Sequence, residues 1–171
     1  MTDKFHSLKP LGLCKVQPYI SRDIQLADLI EWTLTQIGRA QITISTFSTS
    51  EEFLRRLYRM KKEGKVSHCE LICDLRAARK TITLKNFMES TFDRVYLCQN
   101  HSKVVLFSSG SNKVAIVTSQ NQTRGDRYEA GIITSDPFTF SQLQAGLREC
   151  RINSIPINDF NVQPGSDSEN K

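Results

Sequence analysis

A strand–helix–strand pattern between residues 40 and 75 constrains the fold of this 171-residue chain more than any other feature. Residues 40–47 and 67–75 carry apolar and β-branched side chains in alternation, which is typical of strands. The helix between them is predicted to follow Ser50, a good N-cap, and to end at Gly64. Because a connection of this length is a crossover, the two strands should be parallel, with a right-handed connection.

The rest of the sequence adds helices and strands around this unit. A helix pattern begins at Ser21 and stops at Gly38, and another helix is predicted around 83–92. A last helix follows Asp136, with proline at its start. Further strands are predicted at residues 94–98, 101–107, 113–118 and 128–134, with a hairpin loop at 108–112. The predicted fold class is α/β, with helices around one mixed sheet.

Both ends of the chain lack this periodicity. Residues 1–20 contain prolines and glycine without an apolar pattern and are predicted to form an irregular N-terminal segment. Residues 158–171 are predicted to be a disordered tail. Residues 21–157 should then form a single domain.

Composition excludes several classes of protein. Hydrophobic residues at 39% and charged residues at 24% exclude wholesale disorder, collagen and coiled coil. Five cysteines leave at least one unpaired, and Cys69 and Cys73 lack zinc-knuckle spacing. We therefore expect reduced structural thiols, no metal site and no cofactor. No signal-peptide core follows Met1, and no stretch approaches the roughly 20 apolar residues of a membrane span. We expect a cytoplasmic protein with no membrane partner.

Positive charge is concentrated in the middle of the chain. The formal net charge is +5, and residues 55–103 carry 12 basic against 5 acidic side chains. Such an excess is typical of a surface that binds a phosphate-rich partner. The first basic cluster, Arg55–Lys62, also fits the solvated face of a helix, so both interpretations stay open. The second cluster consists of Arg76, Arg79 and Lys80, and it follows a strand end, where ligands of open α/β sheets bind.

His101 and Lys103 are the first candidates for chemistry. They lie two residues apart on the predicted strand 101–107, so both side chains should project from one face. A neutral imidazole is a competent nucleophile or general base near pH 7, and a neighbouring lysine can neutralise an oxyanion. Alone, the H-x-K motif is too frequent by chance to identify a site.

Polar residues further along the chain are predicted to join this pair. If residues 101–107 and 113–118 form a hairpin, Ser119 and Asn121 lie at the same end of the ladder as His101. Their hydroxyl and amide donors are suited to cradling a phosphate. Glu129 opens the next strand and can accept the free imidazole N–H. Structural alternatives remain open, such as a turn at Asn121 or an exposed strand charge at Glu129.

The order of these residues is specific enough to suggest a family. His101-Ser-Lys103, a hairpin, Ser119-Gln-Asn121 and Glu129 together resemble the H-x-K…G-S-x-N…E pattern of the phospholipase D superfamily. The stretch from residue 40 to 76 is similar to the family's first βαβ unit, and the likeness covers roughly residues 22–150. Two positions depart from the pattern: the family usually has Asp at the position of Ser108 and Gly at the position of Thr118.

This resemblance implies a phospholipase D-like α/β/α sandwich and a metal-independent phosphodiesterase, most simply a nuclease. In small single-motif members, two identical chains bring their motifs to one active site, so a homodimer is implied. His101 would form a phosphohistidine, and Glu129 would orient the imidazole. Lys103, Ser119 and Asn121 would hold the phosphate oxygens.

The basic clusters favour nucleic acid as the partner, with DNA preferred to RNA, bound in part by Arg76, Arg79 and Lys80. Two other functions stay open. The departures at Ser108 and Thr118 keep open a catalytically inactive DNA-binding or phosphate-binding module of the same fold. A lipid phosphodiesterase is the second alternative.

Overall fold

A computed structural model describes residues 4–80, 82–122 and 126–159, with residues 78–80 and 82 described by their backbone alone. Of the predicted tail 158–171, residues 160–171 lie outside this description. In chain order the elements are β1 (Val16–Ser21), α1 (Leu26–Ile37), β2 (Ala40–Thr46), α2 (Glu51–Lys62), β3 (Val66–Asp74), α3 (Leu75–Lys80), a 3-10 turn (Ile82–Leu84), α4 (Lys85–Thr91), β4 (Arg94–Cys98), β5 (Val104–Ser109), β6 (Asn112–Thr118), β7 (Glu129–Thr134), α5 (Pro137–Ile152), β8 (Ile155–Pro156) and a second 3-10 turn (Ile157–Asp159).

The strands of the described residues form one mixed sheet in the order β1-β7-β6-β5-β2-β3-β4-β8. Strands β2, β3 and β4 are parallel because helical crossovers join them, and the other neighbours are antiparallel. The Ser50 hydroxyl accepts from the Phe53 N–H at 3.3 Å, and Gly64 follows α2 with φ 75°. These observations confirm the βαβ unit predicted from the sequence.

Helices cover both faces of the sheet. On one face α1, α2 and α4 pack on strand side chains that include Ile44 and Val105. On the other face α5 packs through Phe140 and Leu147 against residues such as Val104. Consecutive residues of one strand, such as Val104 and Val105, therefore pack on opposite faces of the sheet, because side chains alternate between the two faces of a strand. The fold is the predicted α/β/α sandwich around one mixed sheet. None of the helices in the described ranges is both long and apolar enough to cross a bilayer.

The first strand corrects the prediction that residues 1–20 are irregular. Val16–Ser21 forms β1, which pairs antiparallel with β7 at one margin of the sheet. Gln17 and Tyr19 are buried while the residues beside them are exposed. Pro18 concealed this alternation in the sequence, because proline usually interrupts a strand but is tolerated in an edge strand. The strand also takes Ser21, so α1 begins later than its predicted start.

The β5–β6 hairpin is tighter than predicted. Pairing continues to Ser109 and Asn112, so the predicted loop at 108–112 is reduced to a turn around Gly110. Gly110 has φ 55°, a left-handed conformation that glycine adopts without steric cost. Residues 108, 109 and 112, which were predicted to lie in the loop, belong to strands β5 and β6 instead.

The beginning of β5 also differs from the prediction. The strand starts at Val104 because Asn100 and Ser102 hydrogen-bond through side chains instead of joining a ladder. His101 and Lys103 therefore lie in the segment that leads into β5 and not on the strand itself. The side chains of His101 and Lys103 therefore lie together because of local hydrogen bonds, and not because of the alternation of side chains along a β-strand.

The five cysteines are free, and Cys69, Cys73 and Cys98 are buried. Burial raises the pKa of the Cys69 thiol and raises that of Cys73 to about 12. Neither thiol ionises near neutral pH, which agrees with the structural role predicted for them. Among the described residues, His, Cys, Asp and Glu side chains form no group of three that could hold a metal ion.

Candidate active site

The predicted site residues converge where the parallel strands of the sheet end, and we call this side of the sheet the site edge. The parallel strands β2, β3 and β4 all end there, at Thr46, Asp74 and Cys98. Antiparallel pairing brings the start of β5 and the end of β6 to the same edge, together with the start of β7. The hairpin therefore places the end of β6 beside the His101 segment, as the sequence predicted: the Thr118 N–H donates to the Lys103 carbonyl at 3.0 Å.

His101 is exposed at the centre of the site edge. Its ring packs against Phe47, which directly follows β2, with 5.3 Å between ring centroids and a tilt of 56°. The Lys103 Nζ lies 3.4 Å from the His101 Nδ1 and donates to the His101 carbonyl at 2.9 Å. The structure therefore brings the two motif residues together. Phe47 was not among the predicted site residues, although its position at the end of a predicted strand is a usable signal in the sequence.

Lys103 is a partly buried cation. Burial lowers its pKa, and the negative charge of Glu129 acts in the opposite direction. Among the described residues, no carboxylate forms an ion pair with Lys103 at contact distance. A desolvated cation that lacks a paired carboxylate is a strong binding group for an incoming anion.

Ser119 and Glu129 form a second pair at the site edge. The Ser119 hydroxyl donates to the Glu129 Oε2 and accepts from the Ala130 N–H at 3.0 Å. The Ser119 N–H also donates to the Ala130 carbonyl at 2.9 Å, which fixes the start of β7 against the end of β6. The hydrogen-bond partner of Glu129 in the described chain is therefore Ser119, and not the imidazole that the sequence predicted.

Tyr19 supports this corner of the site from β1. Its hydroxyl lies 2.8 Å from the Thr118 Oγ1, so threonine at the position of the family's usual glycine has a specific partner. The Tyr19 ring lies over Gly131, where an added Cβ would be 2.6 Å from the Tyr19 Cε1. Glycine at this position is required by the close approach of the ring. Tyr19 was not predicted as a site residue because residues 1–20 were expected to be irregular.

Asn121 lies beside the first half of α2. It lines a small cavity together with Ser50 and Arg56 at the start of α2. The neighbouring Gln122 is fixed there, because its N–H donates to the Ser48 carbonyl at 3.2 Å. The Asn121 Oδ1 is buried and has no hydrogen-bond partner among the described residues. The structure thus brings Asn121 to the site edge without a contact to His101.

The second basic cluster begins at the site edge. Arg76 is exposed in the first turn of α3, immediately after β3 ends. Its N–H donates at 2.8 Å to Asp74, whose other carboxylate oxygen accepts from the Asn100 N–H at 2.9 Å. Arg76 is therefore anchored near the His101 segment, in agreement with its predicted position. The side chains of Arg79 and Lys80 lie outside the described part of the chain.

In the first basic cluster, in contrast, four of the five basic residues are paired with acidic residues of the same chain. Arg56 contacts Asp28 at 2.8 Å, and Lys61 contacts Asp93 at 2.8 Å. Further ion pairs of the cluster are Arg55–Glu51 and Arg59–Glu63. These contacts favour the interpretation of this cluster as an ion-paired helix face and leave the second cluster as the candidate for phosphate binding.

Solved structures of other proteins share this architecture. Nuc, a phospholipase D family member from Salmonella typhimurium, aligns over 82% of this chain and 96% of its own, with 18% identity and a TM-score of 0.64. NucT from Helicobacter pylori aligns over 82% of this chain and 99% of its own, with 15% identity and a TM-score of 0.61. The chain has the phospholipase D fold.

The phospholipase D fold also occurs inside larger proteins. Phosphatidylserine synthase from Haemophilus influenzae Rd KW20 aligns over 82% of this chain but only 39% of its own, with 17% identity and a TM-score of 0.56. No family model and no curated protein matches the sequence. The resemblance inferred from the H-x-K motif is thus confirmed at the level of the phospholipase D fold.

Proposed function

We propose that this chain is a phosphodiesterase of the phospholipase D type that cleaves nucleic acid, with DNA preferred to RNA. The observation that carries the proposal is the exposed His101 imidazole beside the partly buried Lys103 cation. A nucleophilic imidazole and an adjacent fixed charge are the groups that displacement at a phosphodiester needs. The fold shared with Nuc and NucT over nearly their whole length supports this assignment.

The reaction has two displacements. In the first, a nitrogen lone pair of His101 attacks phosphorus, and the bond from phosphorus to the leaving oxygen breaks. The leaving oxygen takes a proton from the partner subunit's His101, which acts as general acid. In the second, that histidine takes a proton from water, and the water oxygen displaces His101 from phosphorus. Lys103 neutralises the charge on the non-bridging oxygens throughout, so the proposal requires no metal ion.

The Ser119–Glu129 pair supports a change of partners when substrate binds. Ser119 is exposed, so its hydroxyl can turn from Glu129 to a phosphate oxygen. Glu129 is then free to accept the imidazole N–H and to hold the orientation of His101. Asn121, with an unpartnered buried oxygen at the same edge, supplies its amide N–H groups to the phosphate in this proposal.

A second copy of the chain supplies the second histidine in this mechanism. An apolar surface, which we call the β6–β7–β1 face, adjoins the site edge. There Val117, Ile132 and Ile20 are 38%, 45% and 75% exposed. Val117 pairs directly with Ile132, and Ile20 pairs with Ala130. Because Ala130 and Ile132 are two residues apart on β7, all three apolar side chains lie side by side on one face of the sheet. Contiguous exposed apolar side chains next to a site favour a protein partner, and a C2 partner would complete the histidine pair.

The two departures from the family pattern support intact chemistry rather than an inactive module. Ser108 pairs with Lys113 near the turn of the hairpin, at the far end of β5 from Lys103. The missing Asp therefore removes no group from the site edge. Thr118 has its own partner in Tyr19. A phosphatidylserine synthase among the structural neighbours keeps lipid as the second candidate substrate.

Cleavage assays test the proposal directly. Plasmid and end-labelled single strands are incubated with the protein in EDTA, beside His101→Ala and the control His68→Ala, which changes a histidine paired with Glu70 at the opposite edge. We expect cleavage by the wild type and the control but not by His101→Ala. Steep salt-dependent binding without any cleavage would favour the inactive module, and cleavage of a phospholipid alone would favour the lipid enzyme.

Assembly is tested separately by light scattering at micromolar concentration. Ile132→Glu should convert a dimer to monomers, because it places an unpaired charge in the β6–β7–β1 face. The control Ile152→Glu changes an isoleucine that is 75% exposed on α5, outside this face, and should stay dimeric. A wild-type monomer that still cleaves DNA would contradict the two-chain site.

A further inference from the structure

The Asn100 side chain is a buried hydrogen-bonding centre behind the site edge, with 6% exposure. Its Nδ2 contacts the Ser45 Oγ at 2.9 Å, the Thr46 carbonyl at 3.2 Å and the Ile72 carbonyl at 3.3 Å. Its Oδ1 accepts from the Ser102 N–H at 3.0 Å and from the Ser102 hydroxyl at 2.7 Å. One side chain thus joins the ends of β2 and β3 to the segment that enters β5.

Two further contacts complete this network. The Asn100 N–H donates to the Asp74 Oδ2 at 2.9 Å, which ties the backbone to the end of β3. The hydroxyls of Ser45 and Ser102 lie 2.5 Å apart, which ties the other side of the segment to β2. The residues immediately before and after His101 are therefore both fixed to the sheet, while the His101 side chain itself is exposed.

We propose that Asn100 is a positioning residue of this site, which fixes the backbone on both sides of His101 and thereby orients the imidazole for attack. This inference rests on the proposed function. Glu129, the carboxylate that the motif assigns to the imidazole, is hydrogen-bonded to Ser119 instead of the ring in the described chain. The direction of the ring then depends on the backbone that carries it, on its contact with Phe47 and on the Lys103 Nζ, which lies 3.4 Å from its Nδ1.

The chemistry at this position specifically requires an amide. The side chain must donate to two backbone carbonyls and accept from the N–H and hydroxyl of Ser102. Only asparagine offers donor and acceptor together at this length. Aspartate has the same shape, but its second oxygen would face the carbonyls of Thr46 and Ile72 without a proton to donate.

Steady-state kinetics on a labelled oligonucleotide test the proposal with Asn100→Asp and Asn100→Ala. We expect kcat to fall by about 10- to 100-fold in both, because displacement of a reacting group by about 1 Å has effects of that order. KM should change less than about twofold, because Asn100 does not touch the substrate. The matched control is Gln17→Ala. Gln17 is another buried amide, and it bonds to Lys9 and Cys14 at the end of β1 that lies away from the site edge. This variant should keep the wild-type kcat.

Nitrogen NMR of the histidine rings gives a readout that does not depend on activity. In protein labelled at histidine nitrogens, His6 and His68 serve as internal references. We expect the ring signals of His101 to shift or broaden in the Asn100 variants and in Ser102→Ala, which removes only hydroxyl contacts from the same network. The Gln17→Ala protein should show the wild-type His101 signals.

The outcomes separate this inference from the proposed function. A folded Asn100→Asp protein with wild-type kcat and unmoved His101 signals overturns the positioning role. If the Asn100 variants do not fold, Ser102→Ala decides the question, and unchanged His101 signals in that protein also overturn it. If the wild type cleaves nothing, the proposed function fails, and the NMR comparison still decides whether Asn100 orients His101.

Discussion

The Lys103 ammonium lies 3.4 Å from the His101 Nδ1 and at the same time donates to the His101 carbonyl oxygen at 2.9 Å. The nucleophile and the cation of the proposed site are therefore held by one short stretch of chain and not by two separate elements. A phosphate that reaches His101 must also meet the charge of Lys103. The same arrangement has a cost, because it keeps a cation partly buried that no carboxylate of the described residues pairs with at contact distance.

Replacing Lys103 should reveal this cost. Burial lowers the pKa of Lys103 from its usual 10.5, so the folded protein binds this proton less tightly than the unfolded chain does. The residue therefore destabilises the fold at pH values below its folded pKa, and that penalty is relieved as the pH rises through the folded pKa toward 10.5. We expect Lys103→Met to weaken oligonucleotide binding by about 10- to 100-fold and to raise the melting temperature at pH 7.

The control for this prediction is Lys113→Met, which changes a lysine near the turn of the same hairpin. It should leave binding at the site edge unchanged. Thermal melts at pH 7 and pH 10 check the sign: the gain in melting temperature from Lys103→Met should shrink at the higher pH. A loss of stability at pH 7 would show that Lys103 is a net stabilising residue and would contradict the argument.

Phe47→Ala should impair chemistry more than binding. The ring contact at 5.3 Å limits the orientations of the His101 imidazole, so its removal should lower kcat by about tenfold and leave KM nearly unchanged. Phe87→Ala removes a comparable ring contact with Tyr58, far from the site, and serves as the control. Equal kcat values for these two variants would show that Phe47 does not orient His101 for catalysis.

Replacing Arg76, Arg79 and Lys80 together by alanine should weaken nucleic-acid binding and leave the chemical step intact. Each lost phosphate contact should flatten the salt dependence of binding by up to about 0.9 on duplex DNA or about 0.7 on single strands. Binding titrations from low to moderate salt measure this slope, and single-turnover rates at saturating protein measure the chemistry.

The matched control changes the same number of charges on α2, at Arg55, Arg59 and Lys62. Arg55 is paired with Glu51 and Arg59 with Glu63, so this variant should keep the wild-type salt slope. If both triple variants reduce the salt dependence of binding equally, nucleic-acid binding depends on the overall charge of the protein and not on the basic residues at the site edge.

Gly131→Ala tests the packing of Tyr19. The new Cβ would lie 2.6 Å from the Tyr19 ring, and overpacking of this kind costs about 1–3 kcal/mol of unfolding free energy. The double variant Tyr19→Ala/Gly131→Ala should be more stable than the sum of the two single changes predicts, because the clash disappears with the ring. Additive effects in denaturant unfolding would show that the ring and the glycine are not coupled.

The sequence predicted those parts of the fold that have a local signal. The strand–helix–strand unit from residue 40 to 74 followed from periodicity and from the caps at Ser50 and Gly64. The arrangement of the site followed from one pairing, because a hairpin that begins after His101 must bring Ser119 back to the same edge. Neither inference required knowledge of contacts between distant side chains.

The parts that the sequence did not predict depend on such contacts. Pro18 concealed an edge strand whose existence depends on pairing with β7, more than 100 residues later in the chain. Asn100 carries no periodic signal, and its partners on β2 and β3 precede it by 26 to 55 residues. The Ser119–Glu129 bond was not predicted because the motif assigned Ser119 to the phosphate and Glu129 to the imidazole, and neither residue to the other.

The central claim, a covalent intermediate on His101, is tested most directly by trapping it. Radiolabelled DNA is mixed with the protein in EDTA and quenched within milliseconds into alkaline denaturant, because phosphohistidine is unstable in acid. We predict that label becomes bound to the protein as the first DNA fragment leaves and before the hydrolysed fragment accumulates, and that peptide mapping places it on His101. His68→Ala should be labelled like the wild type, and His101→Ala should carry no label. DNA cleavage without protein-bound label, label on a different residue, or activity that EDTA abolishes and magnesium restores would contradict the account.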